Sequence, residues 1–150
     1  MTHALNLTLP IKQDAETQAA LAHLKEIFAA QVQPAIAAAL KQSRIVHFAR
    51  VVVIDDKYIQ VITEYEGSHE EYTEFFRRAL TPVFAAIFAL ADGVPDVDDP
   101  NAFWAFARDH NLRSLGETTS GSTSFDGKPA GWLFSAYDGR TVETMLEAID

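Results

Sequence analysis

Residues 44–67, RIVHFARVVVIDDKYIQVITEYEG, decide the fold. Two runs rich in Val, Ile, Phe and Tyr flank Asp55-Asp56, a short polar turn, and that composition suits a β-hairpin. His47, Arg50 and Glu64 stand inside the runs where apolar residues would be expected. A polar group on a buried strand is costly unless it is paired or used, so chemistry is sought first on this hairpin. With Asp55 and Asp56 as the whole loop, Ile54 pairs with Lys57, Val51 with Gln60 and His47 with Glu64. Alternation then puts Val46, Phe48, Arg50, Val52, Ile59, Val61, Thr63 and Tyr65 on one face. The other face carries His47, Ala49, Val51, Val53, Tyr58, Gln60, Ile62 and Glu64. The first is bulkier and more apolar and is expected to pack on helices; a slip of one residue would exchange the two.

Upstream, LNLTL at 5–9 alternates as a half-buried strand. Asp14 opens a helical stretch to about Gln42, striped by Leu21, Leu24, Ile27, Phe28, Ile36 and Leu40, and Pro34 predicts a kink or break near Gln33. Downstream, Ser68 and Glu71 have the spacing of a capping box. They open a helix whose apolar face runs from Tyr72 through Phe75, Phe76 and Phe84 to Phe88, bent at Pro82 and stopped by Gly93 and Pro95. A short helix near 99–110 follows, then a Gly/Ser/Thr-rich loop over 114–131 and a strand, WLFSAY, at 132–137. Asp138-Gly139 turns the chain, and Thr141 caps a last helix. The order β-α-β-β-α-(α)-β-α predicts a single α+β domain over 1–150. It is the ferredoxin-like order: a four-stranded antiparallel sheet, two long helices on one face, and extra C-terminal helices. Val51, Val53 and Ile62 would remain uncovered on the other face. A second copy of the sheet would cover them, so a homodimer is expected, with the sheets face to face or closed as a dimeric α/β barrel.

Composition narrows the function. Hydrophobic residues make up 48% and charged residues 22% of 150, as in ordinary globular chains. The net charge of −9 repels phosphate backbones, so no nucleic-acid partner is expected. The chain holds no cysteine, which removes disulfides, thiolate metal sites and thiol nucleophiles. The N-terminus does not read as a signal peptide, and the apolar run in 79–91 is too short and interrupted to span a membrane. A cytoplasmic protein without a membrane partner is the expectation.

VHFAR at 46–50, EYEG at 64–67 and SAYDGRTV at 135–142 resemble segments of bacterial proteins in the dimeric α/β-barrel superfamily. That group includes small monooxygenases, chlorite dismutases and dye-decolourising peroxidases. The resemblance covers most of the chain as topology and these short segments as motif. It implies a ferredoxin-like dimer with a pocket between sheet and helices. The peroxidases carry Gly-x-x-Asp-Gly; at 122–127 this chain has Thr123 where the first Gly should stand. No cofactor is expected on that ground, and haem is the candidate to test.

His47 opposite Glu64 could be an oriented acid–base pair, the carboxylate fixing the tautomer, or a mutually satisfied polar pair. These two are the candidate catalytic residues. Arg50 could clamp an anionic ligand or serve a structural ion pair. Tyr65 and Tyr72 could donate to a ligand oxygen or pack with their hydroxyls at a rim. Arg108 and His110, at the end of the short helix, complement its C-terminus; His110 is also the candidate haem ligand. His69 and the acids around it form a solvated helix start rather than a metal site. The expected function is the handling of a small apolar or anionic molecule, with an oxidoreductase of the barrel type as its sharpest form. The alternatives are a non-enzymatic dimeric ligand-binding or interaction module and a haem-binding, peroxidase-like protein.

Overall fold

The computed structural model describes residues 2–117, 131–137 and 139–150. Strand β1 (Thr2–Pro10) leads into α1 (Ala15–Ile27), a π-helical turn (Phe28–Val32) and α2 (Gln33–Ser43). The hairpin follows as β2 (Val46–Ile54) and β3 (Tyr58–Glu66), then α3 (His69–Ala79), α4 (Thr81–Phe88), α5 (Pro100–Asp109) and α6 (Val142–Ile149). The class is α+β, but the sheet is three-stranded and antiparallel, in the order β1-β3-β2.

That corrects the four-stranded, ferredoxin-like expectation and with it the barrel. WLFSAY forms no strand. The free side of β1 is taken instead by residues 110–112: Thr8 N–H donates to His110 O at 3.1 Å, and Leu112 N–H to Asn6 O at 3.0 Å. Trp132, Phe134 and Tyr137 face water, Phe134 at 86% exposure, and Leu133 is half-buried. Gly131, at φ +87°, lies against Ser114, whose carbonyl oxygen would be 2.1 Å from any Cβ there. Most of the Gly/Ser/Thr-rich loop, Thr123 and Asp138 lie outside the described residues.

The two long helices are also corrected, because each divides in two. Leu80 leaves helical geometry (φ −127°, ψ 31°) and Pro82 sits in the first turn of α4, where its missing N–H costs nothing. Pro34 likewise stands in the first turn of α2. The break before it is the wide turn at Phe28–Val32, a π-type irregularity of the kind that recurs beside functional sites. The caps follow the sequence: Asp14, Ser68 and Thr141 accept from Thr17, Glu71 and Thr144 N–H.

The hairpin register differs by one residue from the two-residue loop. Asp55 and Asp56 both take left-handed φ, 52° and 54°, and Lys57 N–H closes the turn on Ile54 O. Ile54, however, pairs with Tyr58, leaving Lys57 as an extra residue. Ile11 N–H draws the Lys57 carbonyl to β1 at 2.7 Å, which holds the extra residue in place. Ala49, Val51 and Val53 therefore face the helices with Ile59, Val61, Thr63 and Tyr65, while Phe48, Arg50 and Val52 face away. The expected burial of Val51 and Val53 in a face-to-face sheet pairing is reversed. A bulge between Val46 and Phe48 absorbs the slip, so Val46 again pairs with Tyr65.

Leu5, Leu7 and Leu9 join the helix-facing side from β1, all at most 3% exposed. They meet Leu21 and Leu24 of α1, Phe76 of α3, Phe84, Ile87 and Phe88 of α4, and Phe103 and Phe106 of α5. Phe28 and Phe75, predicted to be buried, pack against this core but only in part. Among the described residues no helix is long and apolar enough to cross a membrane.

Candidate functional site

Core packing is incomplete on the β2 side. A cavity of about 460 Å³ lies between the helix-facing side of β2–β3 and helices α2, α3 and α4. Ala49, Val51 and Val61 form its floor, Ile36 and Leu40 one wall, and Phe76, Val83 and Phe84 the opposite wall. Phe28, at the start of the π-helical turn, also lines it, with Gln33 beside it; Arg50 borders the floor as part of β2, but its side chain belongs to the opposite face of the sheet.

One polar pair stands in the apolar wall. Thr63 Oγ1 and Tyr72 Oη lie 2.7 Å apart, each residue 4% exposed. β3 alternation turns Thr63 inward, and the first turns of α3 bring Tyr72 over it. Burial raises the Tyr72 phenol far above its ordinary range, so it stays protonated. One hydroxyl donates to the other, and the remaining donor and lone pairs can serve a ligand oxygen. Tyr72 is held in place by its stack on Tyr65, centroids 4.0 Å apart and nearly parallel.

Tyr65 points past the cavity to His69, with its Oη 3.1 Å from His69 Nδ1. His69 is 4% exposed, and burial, with the nearby Arg108 and His3 adding to it, lowers its pKa to about 4. Trp104 lies against His69, and the Arg108 guanidinium sits 5.2 Å over the Trp104 ring while its Nε donates to Asp109. His110 stacks on Phe106 and its Nδ1 lies 3.0 Å from the Phe106 carbonyl. These groups form a continuous aromatic layer between α3 and α5, outside the cavity.

The proposed catalytic pair lies on the opposite face of the sheet. His47 and Glu64 share that face, because the bulge restores to His47 the side that the longer loop would have cost it. Their pairing is not the expected one. Glu64 stands opposite Phe48, and His47 Nε2 lies 2.5 Å from Oε1 of Glu66. Glu66 is 8% exposed and also accepts the Val142 N–H at the start of α6, at 3.0 and 3.2 Å to its two oxygens. Burial raises the Glu64 carboxyl pKa, opposed by the charges of Arg50 and His47.

Of the seven residues singled out from the sequence, Tyr72 lines the cavity, while Arg50 borders it only as part of β2 and turns its side chain to the other face of the sheet. Tyr65 supports it through Tyr72, and His47, Glu64, Arg108 and His110 lie elsewhere. Thr63 and Glu66 are the functional groups that the sequence reading missed. Thr63 carries a signal: it is the one small polar residue among the large aliphatic and aromatic ones on the inward side of β3. Glu66 carries none, since its partnership depends on the bulge. No histidine lines the cavity, so it offers no nitrogen ligand for a haem iron. Among the described residues no group of three His, Cys, Asp or Glu side chains could hold a metal ion. No protein-family model, no curated protein and no solved structure matches the chain.

Proposed function

We propose that this protein binds one small, predominantly apolar molecule in the cavity between β2–β3 and helices α2–α4. The observation that carries the reading is the cavity itself: about 460 Å³ with an apolar wall and a single buried hydroxyl pair. Small-molecule sites span roughly 300–1,000 Å³ and place a few polar groups in an apolar lining. A ligand hydroxyl, carbonyl or carboxylate oxygen would meet the hydroxyls of Thr63 and Tyr72, with Gln33 a further polar group in the lining. Binding needs no reaction, and the acid–base candidates His47 and Glu64 face the other way. The reading is therefore a ligand-binding module rather than an enzyme.

Calorimetric titration with dodecanoate, an apolar chain with one carboxylate, tests it. One molecule per chain should bind, with the negative heat-capacity change of apolar burial. Val83→Trp, which projects a ring into the space, should weaken binding at least about tenfold, equivalent to about 1.4 kcal/mol. Equal binding by wild type and Val83→Trp would remove the cavity from the account, as would no binding at all.

A further inference from the structure

The hydrogen-bond parity of the sheet leaves one strand edge open. On the outer side of β1, Asn6 and Thr8 bond to residues 110–112, so Leu5, Leu7 and Leu9 turn their main-chain groups to β3. Their partners Thr63, Val61 and Ile59 are thereby used on the β1 side, and Gln60, Ile62 and Glu64 serve β2. The bond from Glu66 N–H to Ile45 O has the same parity. Within β2, then, Phe48, Arg50 and Val52 bond inward to β3. The N–H and C=O groups of Ala49, Val51 and Val53 point out of the sheet, and among the described residues none of them has a hydrogen-bond partner.

Long open edges are normally blunted by proline, lysine or a central bulge. β2 has nine residues, no Pro and no Lys, its bulge lies at one end, and its one permanent charge, Arg50, is opposed by the nearby Glu64 carboxylate on the same face. It carries no acidic residue in a chain of net charge −9, so the edge escapes the repulsion that would separate two copies elsewhere. Its outward face also shows two large apolar side chains, Phe48 at 67% exposure and Ile54 at 40%.

We propose that β2 pairs antiparallel with β2 of a second copy about a two-fold axis at Val51. Val51 then stands opposite its own copy and Ala49 opposite the other Val53, giving about six new main-chain hydrogen bonds from the groups now open. In the same register Phe48 meets Ile54 of the other copy as a close, non-hydrogen-bonded pair, so both exposed residues are covered by one operation. The stem of Arg50 lies along Val52. The assembly is a closed, six-stranded sheet, because both outer edges are β1 strands already covered by residues 110–112. This interface is edge to edge and does not depend on whether the cavity is occupied.

Light scattering and sedimentation at micromolar concentration test it. Wild type should have twice the chain mass of 16.6 kDa. F48E and I54K should each raise the dimer dissociation constant at least about tenfold. The double variant F48E/I54K sets each new carboxylate opposite a new ammonium across the axis and should restore the dimer. V51P removes only an outward N–H, a substitution that edge strands tolerate; it should yield a folded monomer by circular dichroism. A monomeric wild type overturns the proposal. So does a dimer that survives both F48E and V51P, or a double variant that stays monomeric while each chain remains folded.

Discussion

At the residue scale, alternation and helix phase place buried polar groups next to one another. Thr63 and Tyr72 satisfy each other inside an apolar wall. His69 is met by Tyr65 Oη and by the aromatic layer of Trp104. Burial lowers its pKa from 6.5 to about 4, so the folded state holds it neutral where the unfolded chain protonates it. The contribution is complete above pH 6.5, is lost as pH falls toward 4, and does not change below that. Its full span is on the order of 3 kcal/mol. Urea unfolding of wild type should therefore show a steeper loss of stability between pH 7 and pH 5 than His69→Gln, which lacks the titration. Parallel pH profiles for the two proteins would show that His69 takes up a proton without cost in the fold.

At the scale of elements, the hairpin, the caps and the short helix at 100–109 were readable because they rest on local chemistry. The strand-forming runs, the acceptor side chains at Asp14, Ser68 and Thr141, and the 3.6-residue spacing of Phe103 and Phe106 all act within a few residues. What the sequence did not show was set at longer range. The extra residue at Lys57 depends on a bond from Ile11, and the bulge at His47 compensates it. Those two features changed which residues of β2 face the helices and moved the partner of His47 from Glu64 to Glu66. Glu66 has a second role, because it accepts the first amide of α6, a helix with no fully buried residue. A looser tie of α6 is the pair of Arg44 with Glu143 at 3.5 Å. Glu66→Ala should release α6 from the sheet. Hydrogen exchange over 142–149 should speed up while the amides of β1 and β3 keep their protection. The cost is about 1–3 kcal/mol, that of losing a buried charged acceptor. Unchanged exchange over 142–149 would mean that α6 is held by something other than this carboxylate.

At the scale of the whole molecule, the two sides of the core are packed differently. Between β1, α1, the end of α4 and α5 the side chains interdigitate, with Leu7, Leu9, Leu21 and Phe88 all at most 2% exposed. Between β2 and α2–α4 the same kind of residue surrounds open space. An interior normally fills to crystal-like density, and atoms beside a void lose their dispersion contacts. The empty side is therefore a cost in the free protein that ligand binding would offset, and a side chain that fills it should act like a ligand. Val83→Phe adds apolar carbon at the cavity wall and should stabilise by about 1–2 kcal/mol. That corresponds to a rise in Tm of roughly 2–8 °C for a domain of this size. Leu21→Phe makes a comparable addition on the packed side, where overpacking should cost about 1–3 kcal/mol. Thermal unfolding of the two variants, monitored by circular dichroism, should thus move in opposite directions from wild type. If both lower Tm, the β2 side is already close-packed in solution, and the space beneath β2 has no ligand to hold.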